Sequence, residues 1–228
     1  MDDKIKNNED HTKKINTEIL QKSLEDFKRS VEITRDVRFQ ANLRLSSRQR
    51  RSSYFVSMLS LYVIGISLIP NVLSLIRYQN QILLSCSIIL SVFVIFTSLI
   101  DGSQNFYHRG ELLHQCARKI ADIHRKLKNI DVDASPSTAL DQLKSLQDKY
   151  QAALDECPTN HDNVDYWKEI SWKPYLFPEH YKNKCPHLIK SYYNLKAWFF
   201  GNFWMFWPIF AVIAVSFVIV FFIFMKLP

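Results

Sequence analysis

The chain has 228 residues, a formal net charge of +7, 47% hydrophobic and 14% aromatic residues, and four glycines. With so few glycines no phosphate-cradling loop can be assembled, and no G-x-S-x-G, H-E-x-x-H or kinase-type set occurs, which points away from catalysis. Three long apolar runs take up much of the length, leaving room for about one small polar body rather than a large enzyme domain.

Residues 1–14 are charged, carry no periodic apolar pattern and are predicted to fray as a flexible N-terminus. Residues 15–53 are predicted to form a cytoplasmic helix. Leu20, Leu24, Phe27, Val31, Thr34, Arg38, Ala41 and Leu45 recur at spacings of four and three, the seam of a left-handed coiled coil with Thr34 and Arg38 as polar interruptions. No Pro or Gly falls between Ile15 and Ser53, so the helix is free to continue into the apolar run that follows.

Residues 54–100 read as a transmembrane hairpin, with spans 54–76 and 82–100 joined by the polar turn RYQNQ. Neither span carries an ionisable Asp, Glu, Lys, Arg or His. At about 1.5 Å per residue they extend roughly 35 and roughly 28 Å, enough for a hydrocarbon core of about 30 Å. Lys and Arg cluster before and after the hairpin, and Arg44, Arg48, Arg50 and Arg51 crowd its entrance, so both polar flanks are expected in the cytoplasm, with these arginines at the membrane interface. The first apolar run lacks a small-residue cleavage site and is expected to be an uncleaved anchor.

Ser53, Ser57, Ser60, Ile64, Ser67, Asn71 and Ser74 share one face of the first span, and Ser87, Ser91 and Ser98 repeat the theme on the second. Small hydroxyl residues of this kind either let helices approach closely or line a wet path through an oligomer. Pro70 frees a backbone carbonyl near Ile66 and suits a kink or gating bend. The absence of charge within the spans argues against proton coupling or voltage sensing.

Residues 101–157 are predicted to be cytoplasmic helices. After Asp101-Gly102 a second seam (Phe106, Arg109, Leu113, Cys116, Ile120, Ile123, Leu127, Ile130) leaves the membrane, to pair antiparallel with the first. Ser135 and Pro136 offer an N-cap with Pro at the first helical position, and Leu140, Leu143, Leu146, Tyr150 and Leu154 mark the apolar face of the next helix. Residues 158–197, where Pro158, Pro174, Pro178 and Pro186 interleave with Tyr and Trp, are predicted to be an aromatic loop with little regular structure beyond short helical turns. Residues 198–225 close the chain as a third transmembrane helix with an aromatic entrance, putting Lys226–Pro228 outside. The expected fold is thus an all-α membrane protein, a transmembrane helical hairpin continuous with a cytoplasmic antiparallel coiled coil, plus a third C-terminal transmembrane helix.

Cys116, Cys157 and Cys185 fall in cytoplasmic segments and Cys86 within a span, so no structural disulfide is expected. Cys157 and His161 with Cys185 and His187 match no standard zinc spacing, and no metal or cofactor is expected. His161 with Asp165 is the one cytoplasmic pair suited to acid–base work, and it reads better as a structural pair.

On the Arg-rich approach RFQANLRLSSRQRR, the hairpin, the helix FYHRGELLHQCARKIADIHRKL and the element Asn160, His161, Asp165, Tyr166, the chain from about Arg35 to Tyr175 resembles the SLATT family of bacterial membrane effectors. It looks most like the branch encoded beside reverse transcriptases, including the transmembrane effectors of retron defence systems. That resemblance implies a multi-pass bacterial inner-membrane effector, N-terminus cytoplasmic and C-terminus periplasmic, which oligomerises with its own kind and permeabilises the membrane on phage infection. It implies as partners the lipid bilayer and a neighbouring reverse transcriptase with its RNA/DNA product, with no small-molecule substrate. It favours Ser57, Ser60, Ser67, Asn71, Ser74, Ser87, Ser91 and Ser98 as pore lining. The alternative is a non-conducting anchor that tethers a reverse transcriptase–nucleic acid complex.

Overall fold

The computed structural model describes the backbone of residues 2–72, 77–182 and 185–224, and the side chains of these apart from residues 2–13, 204–209, 211, 218–220 and 222–224. Every element among the described residues is helical: α1 (Asp2–Val72), α2 (Arg77–Gln104), α3 (Phe106–Lys128), α4 (Pro136–Asp155), α5 (Asn163–Trp172), a 3-10 turn (Pro174–Leu176), α6 (Pro178–Tyr181) and α7 (Pro186–Phe224). The chain divides into two compact units, a polar one (Met1–Leu43 with Arg109–Ala197) and an apolar one (Arg44–His108 with Trp198–Pro228). Helices α1 and α7 contribute to both.

Several element boundaries depart from the sequence reading. Helix α1 begins at Asp2, so it includes the segment expected to fray. Pro70 lies inside α1, close to its last described residue, Val72. Helix α2 begins at Arg77, so RYQNQ is its first turn rather than the connection, and Ser74 and the join itself lie outside the described residues. Gly102 stays within α2; the break comes at Asn105, whose φ of 47° is left-handed. Asparagine is among the few non-glycine residues that tolerate this conformation. Residues 158–197 are largely helical rather than a loop, because Pro174, Pro178 and Pro186 each stand at the first position of a helical element, where the missing N–H costs nothing.

In the polar unit, Leu24 and Val31 of α1 join Cys116, Ile120, Ile123 and Leu127 of α3 and Ala139, Leu143, Leu146 and Ala153 of α4 in one buried cluster. Contacts run Arg35 to His124, Arg38 to Cys116 and Asn42 to His114, so α1 and α3 pack in opposite directions. Ser135 occupies the N-cap position of α4, yet its hydroxyl meets Thr138 Oγ1 at 2.9 Å instead of a backbone N–H. Ile170, Leu176 and Phe177 form a smaller cluster with Ile33, Tyr166, Trp167, Tyr181 and Tyr193, which seats the aromatic segment on α1.

In the apolar unit, Leu59 and Ile66 of α1 pack on Leu83 and Leu90 of α2, with Val212 and Val215 of α7 against them. Tyr62 Oη and Ser216 Oγ lie 2.6 Å apart, a hydrogen bond between α1 and α7. The helical stretches Lys14–Val72 and Arg77–Lys128 are long and apolar enough to cross a membrane, and only 11% and 22% of their most apolar windows is buried inside the protein. A soluble core helix would be mostly buried. Here Leu61, Leu68, Ile88, Val92 and Phe96 face outwards, as lipid-facing side chains do.

Candidate functional site

Two sets of side chains stand out, one in each unit. In the polar unit a chain of charges is buried between α1, α3 and α5. Lys173, at the C-terminal cap of α5, donates to Asp36 Oδ2 and lies 3.2 Å from Glu169 Oε1, close enough for an ion pair though not aligned as a hydrogen bond. Arg35 donates to both Asp36 oxygens, at 2.7 and 3.0 Å, and to His124 Nδ1 at 2.7 Å. Since arginine only donates, Nδ1 is the acceptor, and the ring proton sits on Nε2, facing Glu32 Oε2 at 3.6 Å. His124 is therefore neutral in this arrangement.

Electrostatics follow from burial and partners. Glu169 is 1% exposed, and that desolvation raises its pKa against the pull of Lys173. Burial alone would raise Asp36 too, but the hydrogen bonds and charges of Arg35 and Lys173 outweigh it and the pKa is lowered. His124 is lowered, first by burial and then by the Arg35 charge. Outside this cluster, Arg29 fastens the aromatic segment by donating to the Leu176 carbonyl at 2.7 Å and to Glu179 at 2.8 Å.

The four motif residues have local structural work. Asn160 Oδ1 accepts from the His161 N–H at 2.9 Å. Asp165, buried, accepts from the Asp162 N–H at 3.0 Å, half of a reciprocal capping box that starts α5. Tyr166 packs edge-on against Phe177, ring centroids 5.2 Å apart. His161 is held neutral by burial, with the Arg38 charge acting in the same direction and Asp165 against, and its Nδ1 is buried without a hydrogen-bond partner. Among the described residues no group of three or more His, Cys, Asp or Glu side chains is placed to hold a metal ion.

In the apolar unit the serine face divides. Ser57, Ser67 and Asn71 are exposed and Ser60 is half-buried, on the side of α1 turned away from Leu59 and Ile66. Each hydroxyl donates within its own helix: Ser57 to the Ser53 carbonyl at 2.9 Å, Ser60 to Val56 at 2.9 Å and Ser67 to Ile64 at 2.8 Å. Each serine thus meets its surroundings as an oxygen acceptor. On α2, Ser98 is exposed, Ser91 is half-buried and bonded to the Ser87 carbonyl, and Ser87 is buried within the protomer. The second span's serines are therefore split between packing and surface.

The four arginines expected at the interface also divide. Arg50 is exposed, whereas Arg51 donates to the Ser47 carbonyl and to Asn202 Oδ1 of α7, and the Arg48 guanidinium lies 4.2 Å over the Phe106 ring. Arg44 is half-buried. Sequence reasoning missed the Arg35–Asp36–Lys173–Glu169 cluster; its available signal was a charged pair beside the polar interruptions of the α1 seam.

The profile of a family described as SMODS and SLOG-associating 2TM effector domain family 5 matches residues 20–225. No curated protein and no solved structure matches the chain.

Proposed function

The chain belongs to the SMODS and SLOG-associating 2TM effector domain family, and from that premise we propose that it is a bacterial inner-membrane effector of a retron-type antiviral system. On phage infection it permeabilises the membrane and ends the infection with the cell. In this reading the hairpin of α1 and α2 is joined by α7 as a third span, the polar unit with its paired α1 and α3 is a cytoplasmic coiled coil, and several copies assemble. A neighbouring reverse transcriptase with its nucleic acid supplies the signal.

The observation that carries the reading is the exposed Ser57, Ser67 and Asn71 face on a stretch of α1, from Tyr54 to Val72, whose remaining exposed side chains are apolar. A lone protomer in lipid gains nothing from that polar face, and a shared wet axis between protomers does. The buried charge cluster gives the polar unit a two-state element, because its pairs hold the aromatic segment on α1 and can be exchanged for partner contacts. The test is dye entry and membrane potential in bacteria expressing the chain with its genomic neighbours during infection. Asn71→Leu and Ser67→Leu are expected to abolish depolarisation while expression and membrane insertion persist; normal depolarisation by both variants overturns the assignment.

The anchor reading draws on exposed Trp172 and Tyr175 in the polar unit, a surface suited to docking a partner. It requires cell death with the membrane potential intact, and sensitivity to Trp172→Ala rather than to Asn71→Leu.

A further inference from the structure

Beside the buried charges the polar unit holds a pair of thiols. Cys116, on α3, is 5% exposed; Cys157, just beyond α4, is half-buried and packs against the cluster that contains Cys116. Cys116 Sγ donates to the Ala153 carbonyl at 3.6 Å, one helical turn before Cys157, and Cys157 Sγ donates to the Thr159 carbonyl at 3.2 Å, so the two thiols sit at the same end of α4. Arg38 completes the group. It is 6% exposed, donates from Nη1 to Cys116 Sγ, and its buried Nε–H has no hydrogen-bond partner. An unsatisfied buried donor on a charged group is costly, and a neutral thiol is a weak acceptor for the guanidinium. A thiolate, or a sulfur bearing oxygen, is a much stronger acceptor for the guanidinium donor at Nη1.

We propose that Cys116 and Cys157 are a peroxide-responsive thiol pair, assisted by Arg38, that closes reversibly to a disulfide. The half-buried Cys157 meets the oxidant first. Its sulfur attacks one peroxide oxygen, the O–O bond breaks as the S–O bond forms, and the departing hydroxide leaves as water with the thiol proton. Cys116 then gives up its proton and attacks the Cys157 sulfur; the S–S bond forms, the S–O bond breaks, and a second water leaves. Two thiols and one hydrogen peroxide thus yield one disulfide and two waters. Burial pushes the Cys116 thiol up to about 12, with the neighbouring Cys157 adding to it and the Arg38 charge opposing it, so Cys116 rests as a neutral thiol. Ring closure therefore depends on the guanidinium to stabilise the thiolate as it forms. The bond ties α3 to the end of α4, and a small-molecule thiol restores both cysteines by exchange, as befits a transient disulfide.

The full chain, purified in detergent and treated with hydrogen peroxide, is alkylated and read by intact mass and peptide mapping. The expected result is the loss of two hydrogens and a linked Cys116–Cys157 peptide while the exposed Cys185 still takes the alkylating reagent, with dithiothreitol reversing the change. Cys116→Ser is expected to leave a dimedone-reactive sulfenic acid on Cys157, and Arg38→Lys to slow closure. Oxidation of Cys185 with Cys157 still reduced overturns the proposal, and the wild-type chain alone decides it. None of these readouts depends on permeabilisation.

Discussion

Residues 2–43 with 109–197 bury Asp36, Arg38, His124, Asp165 and Glu169 among their apolar side chains. Residues 44–108 with 198–224 bury Leu59, Ile66, Leu83 and Leu90, and among described polar residues only Gln79 and Ser87. The first region follows the rule for water, apolar inside, with the buried carboxylates Asp36 and Glu169 set against Arg35 and Lys173. The second leaves Leu61, Leu68, Ile88, Val92, Phe96, Phe210 and Phe217 outside and closes its hydroxyl donors onto its own carbonyls, as a hydrocarbon solvent demands. One chain is thus built for two solvents, and side-chain substitutions should cost differently in each.

The largest expected effect tests the charged interior. Asp36→Ala leaves Arg35 and Lys173 without their shared carboxylate and is expected to cost about 3–5 kcal/mol, the range for removing one partner of a buried pair. The change is read as a fall in the helical denaturation midpoint by circular dichroism, and a neutral outcome would mean that these charges are solvated. Next comes a paired comparison of two buried aliphatics. Ile120→Ala in the polar unit should cost about 2–5 kcal/mol, transfer and cavity together. Leu90→Ala in a bilayer should cost less, because lipid removes the transfer contribution and leaves packing alone. Equal costs in nanodiscs break the two-solvent comparison.

A smaller effect separates the regions by pH. His124 has its pKa lowered in the folded chain from the ordinary 6.5, so the unfolded chain takes up the proton first. Stability from this residue is complete above about 6.5 and declines as pH falls towards the folded value, by at most about 1.4 kcal/mol per pH unit. Glu169, raised, works in the opposite sense on acidification, and Asp36, lowered, loses its contribution only below its ordinary 3.8. The difference between wild type and His124→Gln at pH 7.5 and 5.5 isolates the histidine; no difference in slope removes it from the network. The smallest expected effect is Tyr62→Phe, which deletes the bond to Ser216 and should cost about 0.6 kcal/mol, typical of interhelical bonds in lipid. Thermal unfolding in nanodiscs checks it, and a loss as large as that of Asp36→Ala contradicts a weak seam between α1 and α7.

Much of the architecture was legible because helix formation and apolarity are local. Of the eight seam residues on α1, Leu24, Val31, Arg38, Ala41 and Leu45 are buried and Leu20, Phe27 and Thr34 are half-buried. The apolar runs of α1 and α2 declared themselves by length. Prolines 174, 178 and 186 misled in one respect: each marks the start of a helical element, a reading that depends on whether the following residues can pack, which Leu176 and Phe177 do. Helix α7 announced its apolar character, while its hold on α1 through Asn202 and Ser216 depends on registers that no single helix reveals.

By itself the sequence determined that this is a helical chain with apolar segments of membrane length, a basic approach and a polar stripe on the first span, since these are periodicities and lengths within one element. The tertiary structure decided which of the serines are packing and which are surface, that Lys173 meets Asp36 across 137 residues, and that Cys116, Cys157 and Arg38 share one buried corner. Such meetings arise from how separate helices turn their faces to one another, which sequence spacing along any one of them does not encode.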